Sequence, residues 1–250
     1  MLNKMSWTEA KAYFTRKNIV IVPVGSNEQH GPQNPLGTDH LIAEAIALET
    51  AKRTRILCMP FVPYGVSAHH KQFYGTISVS PKNFRRYVKD VCLSLNYYGV
   101  HKIVVVNGHG GNRAALLELG RDLRRKDVFL SVFQWWEAAN KVLPDLFTSD
   151  EQGHAAAEET SVNLALHPEY VNVDRAVNEQ PSKLKVKVEG VSLPMDTVDY
   201  TSSGVFGDSK EASAEKGRLV FEAVVKKLVQ HVKLVEQTNI KDLMPKSKIL

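Results

Sequence analysis

Cysteine is nearly absent from this 250-residue chain. Cys58 and Cys92 are the only two, too few for a disulfide framework or a cysteine-ligated zinc site. Long apolar runs are missing as well. The longest clean one, Ile19 to Gly25, falls far short of the ~20 residues that cross a bilayer. The charged first twenty residues lack the apolar stretch of a secretory signal. The chain has no P-loop ending in Gly-Lys-Ser/Thr and no His-Glu-x-x-His pair, which removes the phosphate cradle and the zinc-protease helix. The nearest approach to a Gly-x-Ser-x-Gly elbow, Gly65-Val66-Ser67-Ala68-His69, fails at its last position, so a serine triad is not expected.

What is present is the composition of a globular protein. Apolar residues make up 43% and charged residues 24%, too apolar a mixture for disorder. The 32 basic residues exceed the 27 acidic ones, and part of the excess sits in a basic tail, Lys241 to Lys248. Arg85-Arg86 and the run from Arg121 to Lys126 fall on predicted helices, where they read as solvated faces and not as a nucleic-acid stripe. These features predict a soluble, cytoplasmic protein with neither membrane nor nucleic acid as a partner.

Ser6-Trp7-Thr8-Glu9 has the capping-box pattern and predicts a helix to about Arg16. Ile19 to Val24 is apolar and mostly β-branched, as a strand buried on both faces should be. Leu41, Ile42, Ala45, Ile46 and Leu48 recur at helical spacing and place a helix over about 38–53. Arg55 to Val62 and Thr76 to Ser80 read as strands. Ser80-Pro81 then opens a helix that runs to Tyr98. A strand over 102–106, a helix over 113–125 and a strand over 128–133 follow. The alternation predicts an α/β fold built of βαβ units around a mostly parallel sheet. Lys183 to Val188 alternates like an edge strand or hairpin. Ser209 is expected to cap a long helix with Leu219, Ala223, Val224, Leu228 and Val232 on one face. With no repeat and no low-complexity linker, residues 1–250 are read as one domain.

Functional groups in such sheets collect at the carboxyl ends of the strands. The loop after the first strand, Gly25-Ser26-Asn27-Glu28-Gln29-His30-Gly31-Pro32, is followed by Gly37-Thr38-Asp39-His40. In extended chain Glu28 and His30 point the same way, and Asp39 lies at a helix start, where a carboxylate is favoured. The alternative is a helix-capping Asp39 and a solvated Glu28. The strand over 102–106 delivers His109 between glycines, and Gly153-His154-Ala155-Ala156-Ala157-Glu158-Glu159 is expected to begin a helix with His154 and Glu158 on one face. A mixed nitrogen–oxygen donor set suits zinc, manganese or iron(II). Two ions ~3.5–4 Å apart would consume Glu28, His30, Asp39, His109 and one further acid, activating water and polarising a carbonyl. Hydrolysis of an amide-like bond is the natural output.

These blocks resemble the creatininase (creatinine amidohydrolase) family. The resemblance runs through residues 25–32 with Thr38-Asp39, Pro63-Tyr64-Gly65 with Ser67, His70 and Phe73-Tyr74-Gly75-Thr76, and Asn107-Gly108-His109-Gly110-Gly111-Asn112. It continues through His154-Ala155-Ala156 with Glu159-Thr160-Ser161, and Gly204-Val205-Phe206-Gly207-Asp208 with residues 212–217. It implies a three-layer α/β/α fold, a dinuclear centre of divalent Zn, Mn or Fe ions, a small-molecule substrate and a homohexamer. By position, Glu28, Asp39 and His109 would hold one ion, and His30 with a bridging Asp39 the other. Where the family's namesake has a metal-binding glutamate two residues after the histidine, this chain has Gly111, so the missing ligand is assigned to Glu159. His154 matches the catalytic histidine that moves the proton to the leaving nitrogen, with Glu159 beside it. Ser67, His70 and Gly110 match substrate-binding positions. Gln33 and His69 depart from the usual histidine and acid.

The resemblance therefore implies an amidohydrolase acting on a small cyclic amide or another non-peptide C–N bond. The same motifs also resemble enzymes that deformylate a nucleotide intermediate, trim a cofactor-precursor peptide or open a carbocyclic ketone ring. A non-catalytic metal- or ligand-binding protein is the competing class, and His154 separates the two, because a pure binder needs no proton carrier.

Overall fold

The computed structural model describes residues 1–182, 191 and 193–244. Its centre is a four-stranded parallel sheet of β1 (Ile19–Val24), β2 (Leu57–Cys58), β3 (Lys102–Asn107) and β4 (Phe129–Gln134), in the order β2-β1-β3-β4. Around it run α1 (Trp7–Phe14), α2 (Thr38–Thr54), α3 (Pro81–Tyr97), α4 (Arg113–Arg124), α5 (Trp135–Val142), α6 (Ala157–Leu166), α7 (Ala214–Gln237) and α8 (Ile240–Leu243). A small antiparallel pair, β5 (Asn178–Glu179) with β6 (Gly207–Asp208), lies apart from the sheet.

The predicted α/β/α layering follows from strand alternation. Side chains along β1 point to opposite faces. Ile19 and Ile21 join a core with Ile42 and Ile46 of α2, Val162 of α6 and Leu228 of α7. Val20, Val22 and Val24 join the opposite core with Phe84 and Val88 of α3 and Leu116 and Leu119 of α4. Every residue of β1 and β3 is buried, which is why both read as continuous apolar runs. Helix α3 shows the complementary pattern. It buries Phe84, Val88, Cys92 and Leu95 at helical spacing, and removing a ring such as that of Phe84 would cost about 3–5 kcal/mol.

Several expected elements are shorter or shifted. The strand expected over 55–62 is regular only at Leu57–Cys58, because Pro60 has no N–H to give the ladder. Pairing resumes at Val62, whose N–H reaches the Pro23 carbonyl at 3.0 Å. The segment expected as a strand over 76–80 does not join the sheet; Ile77 bridges Asn27 of the first polar loop instead. Ser213, not Ser209, caps α7 by accepting from Lys216 N–H at 3.1 Å. Ser209 is occupied with both backbone groups of Val177. Leu219 is exposed, and the buried stripe runs through Val220, Val224, Leu228 and Val232. The alternating stretch Lys183–Val188 lies outside the described residues.

Strand order fixes the site. The chain leaves β1 toward β2 on one side and enters β3 on the other, so the loops beyond Val24 and Asn107, which are paired neighbours, diverge at a topological switch point. Crevices of this kind are where open α/β sheets bind ligands. No helix among the described residues is long and apolar enough to cross a membrane.

Candidate metal centre and active site

Helix α2 starts directly over the ends of β1 and β3. It comes so close that a Cβ on Gly108 would sit 2.0 Å from the Asp39 carbonyl oxygen, and only glycine tolerates that approach. Asp39 in the first turn is thereby lowered into the crevice, where it does not cap the helix. Its Oδ1 lies 3.1 Å from His30 Nε2 and its Oδ2 3.2 Å from His109 Nδ1. Glu28 Oε1 lies 3.2 Å from the same His109 nitrogen and 3.4 Å from His70 Nε2. Glu159 Oε2 lies 3.7 Å from His30 Nε2.

Ring orientations are set from behind. His109 Nε2 donates to the Val66 carbonyl at 2.9 Å, which turns Nδ1 toward the two carboxylates. His30 Nδ1 donates to the Glu28 carbonyl at 3.1 Å and leaves Nε2 facing Asp39 and Glu159. Asn112 ties the surrounding loops together, its amide donating to the Gly25 carbonyl and its carbonyl accepting from Val66 N–H, both at 2.9 Å.

The stretch 153–160 does not begin a helix at His154 as expected. Ala155 has φ of +56°, Ala156 is extended, and α6 starts only at Ala157. Glu159, the third helical residue, reaches back past the N-cap Ala156 to accept from Ala155 N–H at 2.7 Å, which pins the left-handed residue. Gln33, the residue that replaces a family histidine, donates to the Ala155 carbonyl at 2.7 Å. The outcome is that His154 and Glu159, not His154 and Glu158, converge on His30. The His154 ring lies 4.5 Å from that of His30 and 4.4 Å from that of His70.

Among the described residues three groups could hold a cation: Glu28, Asp39 and His109; His30, His154 and Glu159; and Glu28, His70 and His154. The donor atoms in each lie within 4.8 Å of one another. The chemistry of the donors fits. Glu28 Oε1 and Oε2, His30 Nε2 and Asp39 Oδ2 are buried without a hydrogen-bond partner, a costly arrangement unless a cation satisfies them. Burial disfavours charge throughout, yet the carboxylates win at two rings. Asp39 and Glu159 raise His30 to about 10, and Glu28 and Asp39 raise His109 well above its usual value. Burial and repulsion from Asp39 raise Glu28, but His109 and His30 outweigh them and hold it near 2. A field strong enough to draw protons onto buried imidazoles favours a divalent cation in their place.

His154 and His70 are uncharged at neutral pH, whereas Glu158 and Glu159 are pushed up toward it. Burial, with the His30 charge, lowers His154 to about 4. Burial and the neighbouring histidines hold His70 near 2, despite Glu28. Burial raises Glu159 to about 7 against the pull of His30, and burial with the Glu159 charge raises Glu158 to about 8.

The groups border a cavity of about 370 Å³, a size for a small ligand. His70, Gly110 and His154 line it. Ser67 does not: it is fully buried behind His109, bonded to Ser26 and 3.3 Å from His109 Nε2. Trp135 packs in the core and Trp136 walls the cavity. Gln29 went unread in the sequence, although it sits between two expected ligands. Its amide nitrogen lies 2.9 Å from both His70 Nδ1 and His154 Nε2. Alternation in the loop was the available signal, since it sends Gln29 away from Glu28 and His30.

A family model described as creatininase, creatinine amidohydrolase, matches residues 3–232. The chain is 27% identical to the creatinine amidohydrolase of Pseudomonas putida, across 93% of this chain and 95% of that protein. It is 34% identical to the mycofactocin precursor peptide peptidase of Mycobacterium ulcerans (strain Agy99), across 85% of this chain and 84% of that one. A crystal structure of creatinine amidohydrolase superposes with a TM-score of 0.82 at 27% identity, covering 95% of this chain and 98% of the other. The chain belongs to the creatininase family of hydrolases.

Proposed function

We propose that the chain is a dinuclear metal-dependent amidohydrolase that cleaves a C–N bond in a small cyclic amide. One observation carries the reading: the two oxygens of Asp39 face two different histidines, and each histidine has a second carboxylate beside it. Glu28, Asp39 and His109 would hold one ion, and His30, Asp39 and Glu159 the other. The donors suit Zn²⁺, Mn²⁺ or Fe²⁺. Bound there, the pair would supply Lewis acidity, lowering the pKa of water and polarising the substrate carbonyl.

The protein's own groups supply the rest. The Gln29 carbonyl, 3.0 Å from His154 Nε2, can only accept. The Gln29 side-chain amide, 2.9 Å from the same nitrogen, can only donate, so His154 Nε2 is engaged in either tautomer and Nδ1 is the nitrogen left for proton transfer. In this role Nδ1 takes a proton during attack and returns it to the leaving nitrogen. Gln29 and His70 hold that ring in place. This use of His154 separates an enzyme from a pure binder.

A second reading, cleavage of a precursor peptide, is favoured by the 34% identity to a protein named as a precursor peptide peptidase. The family resemblance further supports a hexamer of single-domain chains in the cytoplasm, which light scattering and cell fractionation would test. The deciding experiment is metal content on protein purified without added metal or chelator, followed by a screen of cyclic amides, formamides and short peptides. About two equivalents per chain are expected, and both should be lost in Asp39→Asn. No bound metal even after reconstitution with zinc or manganese would end the proposal.

A further inference from the structure

Glu158 is next to Glu159 in the chain but stands apart from it in the site. As the second residue of α6 it is turned about a hundred degrees from Glu159, and it belongs to none of the three cation-binding groups. Its side chain nevertheless lines the cavity while the residue is only 2% exposed. Its Oε1 is buried without any hydrogen-bond partner. The ion pairs of His30, His70 and His109 go to Glu28, Asp39 and Glu159, and none reaches Glu158.

A buried carboxyl without a donor is an unfilled acceptor, and native structures leave few of these unexplained. Two further features indicate what fills it. Among the described residues no Lys or Arg side chain lines the cavity, and the rings of Trp136 and Phe206 do. An acid together with aromatic faces receives cationic nitrogen.

We infer that Glu158 is the specificity residue of this site, receiving an ammonium, amidinium or guanidinium group of the substrate while the scissile bond lies over Asp39. The inference rests on the amidohydrolase reading for the position of the scissile bond. It commits the substrate to a small amide carrying a cationic nitrogen at one end. Glu158 provides recognition and takes no part in holding metal.

The test uses the metal-loaded full chain and two flat probes of equal size, benzamidine, a cation, and benzamide, its neutral counterpart. Calorimetric titration of the wild type should show benzamidine binding about tenfold or more tightly than benzamide. Glu158→Gln keeps the shape and cannot take up the negative charge that a cation beside the carboxyl favours. It should bring the two affinities to within about twofold, with benzamide affinity and metal content unchanged. An unchanged preference in Glu158→Gln, or no preference in the wild type, would overturn the inference. If Glu158→Gln fails to fold, Glu158→Asp decides: a reduced preference supports the role and an undiminished one removes it. Metal content read on the same samples separates the two readings. Two equivalents with no Glu158-dependent preference would sink the specificity role alone. A Glu158-dependent preference in protein that cannot hold metal would sink the metallohydrolase reading and keep the cation subsite.

Discussion

Residues 25–39 and residues 153–160 each carry a histidine and acids into the same cavity, but only the first stretch is anchored by the central sheet. Glu28 and His30 follow a strand whose six residues are all buried and all paired with β3, with Val20 and Ile21 paired to β2 as well. Asp39 is seated by the contact between α2 and Gly108. The second stretch has no strand beneath it. It holds its shape through a left-handed Ala155, the Glu159 carboxyl accepting from Ala155 N–H, and the Gln33 amide reaching across from the first stretch. A non-glycine residue in that conformation costs about 1–2 kcal/mol, which the surrounding bonds must offset. Asp39, the carboxylate proposed to be shared, thus sits on the rigid half, and His154, the proposed proton carrier, and Glu158 with its unpartnered Oε1 sit on the adaptable half.

That division predicts unequal damage. Glu28→Gln strikes the rigid half and removes a ligand that faces both His109 and His70. Because metal Lewis acidity supplies several kcal/mol of transition-state stabilisation, turnover should fall by about a thousandfold or more. Metal analysis should show at least one ion lost while circular dichroism stays native. Full turnover with two ions retained would show that Glu28 is no ligand.

Glu159→Gln strikes the adaptable half and should do less. One ion should be retained, and the other should bind more weakly by at least the roughly 10–100-fold that even an outer ligand contact commands. Adding Gly111→Glu should not rescue it, although the family's namesake carries a glutamate there. A Cβ at position 111 would lie 2.2 Å from the Val66 carbonyl oxygen and 2.4 Å from His109 Nε2. The double variant should instead lose about 1–3 kcal/mol of stability through overpacking, read as a lower denaturant midpoint. Recovery of the second ion in the double variant would show that the 110–112 loop is as adaptable as 153–160.

The same contrast explains which parts of the molecule were legible in the sequence. Ile19–Val24 and Lys102–Asn107 announce themselves because both faces are buried, and His30, Asp39 and His109 follow from their place at strand ends. The start of α6 did not, because Ala155 carries no mark of a positive φ; glycine or asparagine would have. Ser209 looked like a helix cap because a serine side chain caps a helix or ties a loop equally well. Glu158 was read as the partner of His154 on a helix that had not yet begun. What was lost in each case depends on contacts between distant segments, which no local pattern encodes.

A smaller test probes the rigid half from behind. Ser67 was expected to touch substrate, but it lies beneath His109, which also donates to Val66. Ser67→Ala should leave KM unchanged and lower kcat several-fold, because a displaced ring weakens a transition-state interaction and not a binding contact. A raised KM with constant kcat would restore the direct contact.

The smallest effect is expected at the outer support of the adaptable half. Glu179 accepts from Ser202 N–H and Ser203 N–H at 2.8 and 2.9 Å. The chain then continues to Gly204, whose carbonyl accepts from Gln29, and to Phe206, whose N–H reaches the His154 carbonyl. Burial would raise the Glu179 carboxyl, but the bonds from Ser203 and Ser202 hold it down to about 2, from an ordinary 4.5. A carboxylate depressed in the folded state stabilises it above its unfolded value, and that contribution fades as pH falls from 4.5 toward 2. The group is largely solvent-exposed, so screening limits its contribution to about 1 kcal/mol or less. Urea midpoints of the wild type and Glu179→Gln, both stripped of metal, should therefore differ slightly at pH 6 and converge as the pH approaches 2. A difference that survives acidification would mean that the glutamate acts through packing and not through its charge. Convergence, with hydrogen exchange rising first at 202–206 and only later in β1, would show that the adaptable half loosens while the sheet still holds Glu28, His30 and Asp39 in place.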